Sequence, residues 1–329
     1  MEIKVKAYFT DVVNGESRLV AKDIDMPKPA DDEILIKVKA TALNRGGFIV
    51  GGVMHGASAY PSGTEAAGEI IQIGSGVQKY KLGDKIMGRV IGTNSGSYSE
   101  YCTIKDYQAM FIPSGFSWEQ SAAIPVSFLA AYDALITYGK LSKNDIVLIT
   151  SISSAIGSSA LIISKIIGAK VIGTSTSELK LEKLLNYGMD FGITTPETNL
   201  ANKIKEYTDD GINLVVNCLG GSIFNDAMMA LKFKGVFVNV GYMDNITNVE
   251  VDLKKIHAQR HSIHGISNAY VTRKDIIKTV EGFKRNVLPY LGRNKEKPII
   301  DKIYNFDDIE KARKYMMSNN QIGKIVVKL

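Results

Sequence analysis

The sequence predicts a two-domain α/β protein, in which a β-rich, largely antiparallel domain is interrupted by a doubly wound parallel-sheet domain. Three observations carry this. The chain has 329 residues, more than one hydrophobic core usually holds. Its rhythm changes twice, from glycine-punctuated β-branched runs to alternating strands and helices, and back. Between Asp145 and Lys180 it reads DIVLITSISSAIGSSALIISKIIGAKVIGTSTSELK: strand, small-residue turn, apolar helix, strand.

Residues 1–124 contain EILIKVKATAL, GEIIQIGSGVQKYKLGDKIMGRVIG and GSYSEYCTI, alternating β-branched residues separated by glycine turns. Residues 125–265 alternate helices and strands. Helical FLAAYDALITYG precedes the first strand, and SELKLEKLLNYG follows the second, with Gly188 placed to end it. Then come NLANKIKEYTDDG into strand NLVVNCLG, SIFNDAMMALKFKG into strand VFVNVG, and a short helix and strand in KKIHAQRHSIHG. Repeated βα units imply a parallel sheet. Residues 266–329 add RKDIIKTVEGFKRNVL, PIIDKIYNF, DDIEKARKYMMSN and KIVVKL, with no βαβ rhythm, and are expected to complete the first domain.

Composition narrows the function. With 45% hydrophobic and 22% charged residues the chain reads as soluble and globular. Its net charge of +6 comes from scattered lysines, without the like-charge blocks or basic–aromatic runs that nucleic-acid binding would call for. Cys102 and Cys218 stand alone, which excludes a disulfide scaffold and fits a reducing, cytoplasmic setting. The N-terminal residues lack a signal-peptide apolar core, and Lys165 and Lys170 interrupt the best approach to a membrane span. His257, His261 and His264 are spaced four and three apart, but the helix there gives way to a strand, so they read as surface or core residues and no metal site is expected.

The βαβ turn is the main chemical signal. Backbone N–H groups at such a helix N-terminus can meet a diphosphate. A full G-x-G-x-x-G motif would place glycines at 152, 154 and 157, where the chain has Ile152, Ser154 and Gly157. Taken alone, the turn fits a dinucleotide site or an ordinary buried βαβ unit. The second strand ends in Thr174, Ser175, Thr176 and Ser177, with Lys180 one helical turn on and no acid at its tip. Hydroxyls and a lysine favour a 2′-phosphate where an acid would repel it, so the segment proposes NADP(H).

With this layout, the sequence resembles the medium-chain dehydrogenase/reductase superfamily, specifically its zinc-free quinone oxidoreductase-like branch. The resemblance is nearly end to end. It rests on Asn44 in ATALN, YPSGTEAAGEI, IGSGVQKYKLGDKI, GSYSEYCTI, EQSAAIP, the βαβ segment, NCLGGSIFNDAMMALKFKGVFVNVG and IGKIVVKL. It implies a GroES-like domain (1–124 and 266–329) interrupted by a Rossmann NADP(H)-binding domain (125–265). Where zinc-dependent members place a Cys and a His, this chain has Asn44 and Thr64, and the structural-zinc loop is missing. Metal-free hydride addition suits an acceptor that is already polarised. The implied function is therefore NADPH-dependent reduction of a quinone or α,β-unsaturated carbonyl. The alternatives are an enoyl-thioester reductase on acyl-CoA or acyl-carrier substrates, and a catalytically weak NADPH-binding protein.

The resemblance also implies residue roles, in a cleft between the domains. Asn44 sits beside nicotinamide and substrate. Ser153, Ser154, Ala155, Ile156 and Gly157 present backbone amides to the diphosphate. Ser175, Thr176 and Lys180 meet the 2′-phosphate, and Asn217, Leu219 and Gly241 offer backbone contact to the nicotinamide half. The family's loop tyrosine is absent; His55 and Tyr60 stand nearest its place as candidate proton donors. Ala130 and Thr195 replace a hydroxyl and a tyrosine of the family pattern. The family's habit of pairing Rossmann edge strands implies a homodimer.

Overall fold

The structure is a computed structural model describing residues 3–48, 60–196, 199–268, 270–293 and 296–329. The chain divides into two compact units: Met1–Val126 with Val271–Gly292 and Ile300–Leu329, and Ser127–Tyr270 with Arg293–Ile299.

Strands β1 (Lys4–Val13) and β2 (Glu16–Asp25) form an antiparallel hairpin. Its two-residue turn is Asn14–Gly15, at φ 54° and 79°, the left-handed pair that such a turn requires. Five further strands precede the break to the second unit: β3 (Glu33–Ala42), β4 (Glu65–Ile73), β5 (Lys85–Arg89), β6 (Tyr101–Lys105) and β7 (Ala109–Phe111). The second unit contributes β8 (Ile146–Ile149), β9 (Lys170–Ser175), β10 (Phe191–Thr194), β11 (Ile212–Asn217), β12 (Leu231–Asn239) and β13 (Ser262–Gly265). The chain then returns to the first unit with β14 (Ile300–Asn305) and β15 (Lys324–Lys328).

In the first unit the sheet runs β14-β15-β3-β4-β5-β7, with β6 also paired to β3. Every pair is antiparallel except β14–β15. Ile34, Leu35 and Ile36 of β3 are all fully buried, and since successive strand residues alternate faces, both faces of β3 are covered there, in keeping with its near-continuous apolar run. The sheet's core gathers Ile34, Ile36, Ile70, Ile86 and Ile104. A second cluster, with Leu43, Phe48 and Tyr98, packs on Ile309, Met316 and Ile325 from the C-terminal segment.

In the second unit the sheet is parallel throughout, in the order β10-β9-β8-β11-β12-β13. Strand order reverses between β8 and β11, and such a reversal opens a crevice at the strand C-termini. The turn after β8 stands at that point. The helix Glu178–Leu185 is closed by Gly188 at φ 92°, whose N–H bonds the Leu185 carbonyl, while Met189 N–H bonds Leu184, the stop expected from the sequence.

Three local details differ from the sequence reading. The core of the second strand, expected over Lys170–Gly173, extends as β9 to Ser175 because β10 supplies partners for Thr174 and Ser175. The helix expected through LKFKG ends at Ala230, since Leu231 pairs with Ile212 and is buried as the start of β12. FLAAYDALITYG is α-helical only over Ser127–Tyr132; Asp133–Tyr138 is a π-helical segment, with Gly139 N–H reaching the Ala134 carbonyl at 3.0 Å. Among the described residues, no helix is long and apolar enough to cross a membrane.

His261 ties β12 to the start of β13: one ring nitrogen, Nε2, lies 3.1 Å from the Lys232 carbonyl and so carries the proton, while Nδ1 is buried without a partner. Burial holds its pKa below the usual 6.5, outweighing the Lys232 carbonyl. The unfolded chain therefore takes up this proton before the native protein does. Stability is lost as pH falls below about 6.5 and continues to fall until the native ring protonates. In His261→Gln, which does not titrate, thermal unfolding between pH 7.5 and 5 (roughly this window) should show a shallower acid decline than wild type; parallel declines would contradict this account.

Candidate functional site

The turn after β8 is built by close backbone approach. Ser151 takes the left-handed conformation (φ 49°), a strained position for a non-glycine residue. Its N–H bonds Thr174 Oγ1 at 3.2 Å and its carbonyl accepts from Ser154 N–H at 2.9 Å. Ile152, at the motif's first glycine position, is fully buried. Gly173 on β9 makes room for it: a Cβ there would fall 2.5 Å from Ile152 Cδ1. Gly157 is required for a different reason. Its missing Cβ would lie 2.6 Å from the Ser151 carbonyl oxygen and 2.8 Å from Ile152 Cα, both backbone atoms that cannot yield.

Ser154 caps the helix Ala155–Ile167, its Oγ accepting Gly157 N–H at 3.1 Å. The N–H groups of Ala155 and Ile156 lie in the same first turn, where no intrahelical acceptor exists. Residues 153–156 are half-buried. Cys218 lies beside Ser154; burial pushes its thiol up to about 12, against a smaller opposing pull from the serine hydroxyl. It is a poor nucleophile there.

Asn217 and Thr150, both fully buried, knot the ends of β8, β11 and β12 together. Thr150 Oγ1 donates to Asn217 Oδ1 at 2.8 Å and accepts from Cys218 and Leu219 N–H groups. Asn217 Nδ2 reaches the Gly220 carbonyl and Asn239 Oδ1 at 3.0 and 2.9 Å, and its carbonyl accepts from Val240 and Gly241. Asn217, Leu219 and Gly241 thus meet in one loop cluster. At the tip of β9, Ser175 is buried, its Oγ accepting Ser177 N–H and its carbonyl accepting Thr195 N–H, while Thr176 is exposed and Lys180 half-buried.

The first unit holds a polar cluster that the sequence reading did not foresee. Lys324, on β15, is 1% exposed in its side chain and forms an ion pair with Glu65 of β4, which is fully buried. Its ammonium also donates to Asn44 Oδ1 at 2.8 Å and to the Leu43 carbonyl at 3.2 Å, so each of its three protons has an acceptor. Glu65 Oε1 accepts from Asn44 Nδ2 at 2.8 Å, and Oε2 from Val126 N–H at 2.7 Å. The second Asn44 amide proton goes to Thr64 Oγ1 at 3.1 Å. Tyr98 packs nearby; burial first, then the Glu65 charge, raises its phenol far above the usual range. The available signal for Glu65 and Lys324 was a charge opening a run of small or apolar residues in each strand, EAAG and KIVV.

Of the two proton-donor candidates, Tyr60 is 42% exposed and His55 lies outside the described residues. Ala130 and Tyr132 are buried in the helix Ser127–Tyr132.

A buried ion pair is most fragile when one partner is removed. Lys324→Met should destabilise the protein by about 3–5 kcal/mol because it leaves the Glu65 carboxylate buried without a counter-charge. Adding Glu65→Gln, which removes the stranded charge and keeps one acceptor oxygen for Val126 N–H, should recover much of that loss. Urea unfolding of the two forms measures this; a double variant no more stable than Lys324→Met would refute the pairing.

Comparisons with known proteins follow the two units. A family model described as an alcohol dehydrogenase GroES-like domain matches residues 30–114, and one described as zinc-binding dehydrogenase matches 155–284. The chain is 28% identical over 276 residues to a quinone oxidoreductase-like protein 2 homolog of Nematostella vectensis, covering 80% of this chain and 72% of that protein. It is 26% identical over 313 residues to a quinone oxidoreductase of Pongo abelii, covering 93% and 92%. The solved structure of mycobacterial Rv1454c complexed with NADPH matches its fold with a TM-score of 0.84 at 19% identity, covering 99% of this chain and 100% of that one. With a GroES-like unit, a Rossmann-like parallel-sheet unit and these relatives, the chain belongs to the medium-chain dehydrogenase/reductase family of oxidoreductases.

Proposed function

We propose that this chain is a zinc-independent, NADPH-dependent reductase of quinones or α,β-unsaturated carbonyls. The observation that carries the reading is the Lys324–Glu65–Asn44 cluster. A catalytic zinc takes about three Cys, His or carboxylate ligands. Here the amide of Asn44, the hydroxyl of Thr64 and a carboxylate already neutralised by an ammonium do not fit that ion. Among the described residues, no group of three His, Cys, Asp or Glu side chains stands together. Such a site suits an acceptor polarised by its own conjugation, as in the relatives named quinone oxidoreductase.

The second unit fits a nicotinamide dinucleotide, which when bound supplies the hydride. The amides around Ser153, Ser154, Ala155 and Ile156, at the positive end of the helix, would hold its diphosphate, with Gly157 permitting the approach. Ser175, Thr176 and Lys180, with no carboxylate at the strand tip, favour a 2′-phosphate. Asn217, Leu219 and Gly241 would border the nicotinamide half. In the first unit Asn44 and its cluster would face the acceptor, with protonation left to Tyr60, His55 or water. The same reading includes a cytoplasmic homodimer, β13 being the outermost strand of its sheet.

Purified protein should oxidise NADPH with 1,4-benzoquinone, 9,10-phenanthrenequinone or a simple enone, and chelators should leave the rate unchanged. Absence of turnover across that panel, with NADPH still bound, would sink the reading. Removal of a charge-assisted contact to the phosphate in Lys180→Ala should weaken NADPH binding by about tenfold and spare NADH. Equal affinities in wild type and variant would overturn the NADPH assignment alone.

A further inference from the structure

We infer that the Thr64 hydroxyl is the hydrogen-bond donor to the carbonyl oxygen of the acceptor, held in place by the Lys324–Glu65–Asn44 cluster. This rests on the proposed function, and it changes which atom of the cluster meets the substrate.

The orientation of the Asn44 amide is dictated by its neighbours. An ammonium only donates, so Asn44 Oδ1 faces Lys324; a carboxylate only accepts, so Nδ2 faces Glu65. Both amide protons are then engaged, one by Glu65 at 2.8 Å and one by Thr64 at 3.1 Å. Asn44 therefore has no proton left for a ligand oxygen. Thr64 Oγ1 receives the Asn44 hydrogen bond and keeps its own O–H proton. Among the described residues that proton has no acceptor.

Burial gives this chain of bonds a direction. Lys324 and Glu65 lie in the interior, whereas Asn44 and Thr64 are half-buried. The sequence of donors runs Lys324 Nζ to Asn44 Oδ1, then Asn44 Nδ2 to Thr64 Oγ1, and ends at the hydroxyl of a half-buried residue. Hydrogen bonds in series polarise one another, and an ammonium at the inner end makes the outer O–H a better donor. A backbone bond holds the outlet, Val90 N–H to the Thr64 carbonyl at 2.8 Å, and the side chain of the next residue, Glu65, is anchored by Asn44 and by Val126 N–H.

In the reaction the acceptor's β carbon gains a hydride and a new C–H bond. The C=C π pair shifts toward the carbonyl, whose oxygen becomes an enolate; in a quinone the carbon that took the hydride then loses a proton to water, which restores the aromatic ring as the hydroquinone anion. Water then supplies the proton that completes the reduction. Thr64 keeps its proton throughout; it stabilises the oxygen as charge develops, which is where a fixed donor has most effect.

The test compares Thr64→Val, of nearly the same shape without a donor, with Thr64→Ser, which keeps the hydroxyl; Thr64→Ala serves if the valine form does not fold. In Thr64→Val, kcat for quinone or enone reduction should fall about 100-fold, as for loss of an oxyanion donor, with NADPH affinity and melting temperature close to wild type. Thr64→Ser should keep most of the rate. A second readout is independent of turnover. Bound 4-nitrophenol, a mimic of the anionic oxygen, should show phenolate-like absorbance with wild type and Thr64→Ser, and lose it with Thr64→Val. An unchanged kcat or an unchanged phenolate signal in Thr64→Val overturns the inference while the proposed function stands. A wild type inactive on every acceptor overturns both.

Discussion

A lysine ammonium that is almost entirely withdrawn from water must be solvated by the protein itself. For Lys324 this is done by a carboxylate, a side-chain amide and a backbone carbonyl, one acceptor for each of its three protons. Isolated burial of either charge would be prohibitive, and even a well-made pair gives little net stability. What the pair does give is direction. It joins β15, near the C-terminus, to β4 and to the segment following β3, and it leaves the Asn44 side chain one orientation. The rest of the first-unit site follows: Thr64 is fixed as the outlet, and Val126 is tied to the same carboxylate.

The second unit solves a different problem, a tight strand-to-helix turn built with few glycines. The motif's demand for space is met by redistribution. Ser151 carries the left-handed turn, Ile152 fills a space opened by Gly173 across the sheet, and Gly157 alone retains its motif role because carbonyl and Cα atoms of the turn press on it. A turn that looks damaged as a pattern is therefore intact as a shape. Thr150 and Asn217 then lock the neighbouring strand ends, so the amides of the helix start sit on a rigid base.

Much of the fold was legible in the chain because periodicity and punctuation survive without tertiary information. Alternating β-branched runs marked the antiparallel sheet, the βα rhythm marked the parallel one, and Gly188 ended a helix. Where the reading slipped, a neighbouring strand decided: β10 lengthened β9, and β11 drew Leu231 out of the preceding helix. Local propensity is weak enough that one ladder of hydrogen bonds overrides it.

By itself the sequence determined the two-unit α/β architecture, the position of the strand–turn–helix after β8 and the absence of an acid at the tip of β9, since these depend on residues close together in the chain. Only the tertiary structure decided that Glu65 and Lys324, 259 positions apart, are partners. It likewise decided that Asn44 has no free amide proton and that Ile152 is accommodated by Gly173. The reason is physical: a hydrogen-bond donor has meaning only against the acceptors around it, and those acceptors were brought together from distant strands by burial.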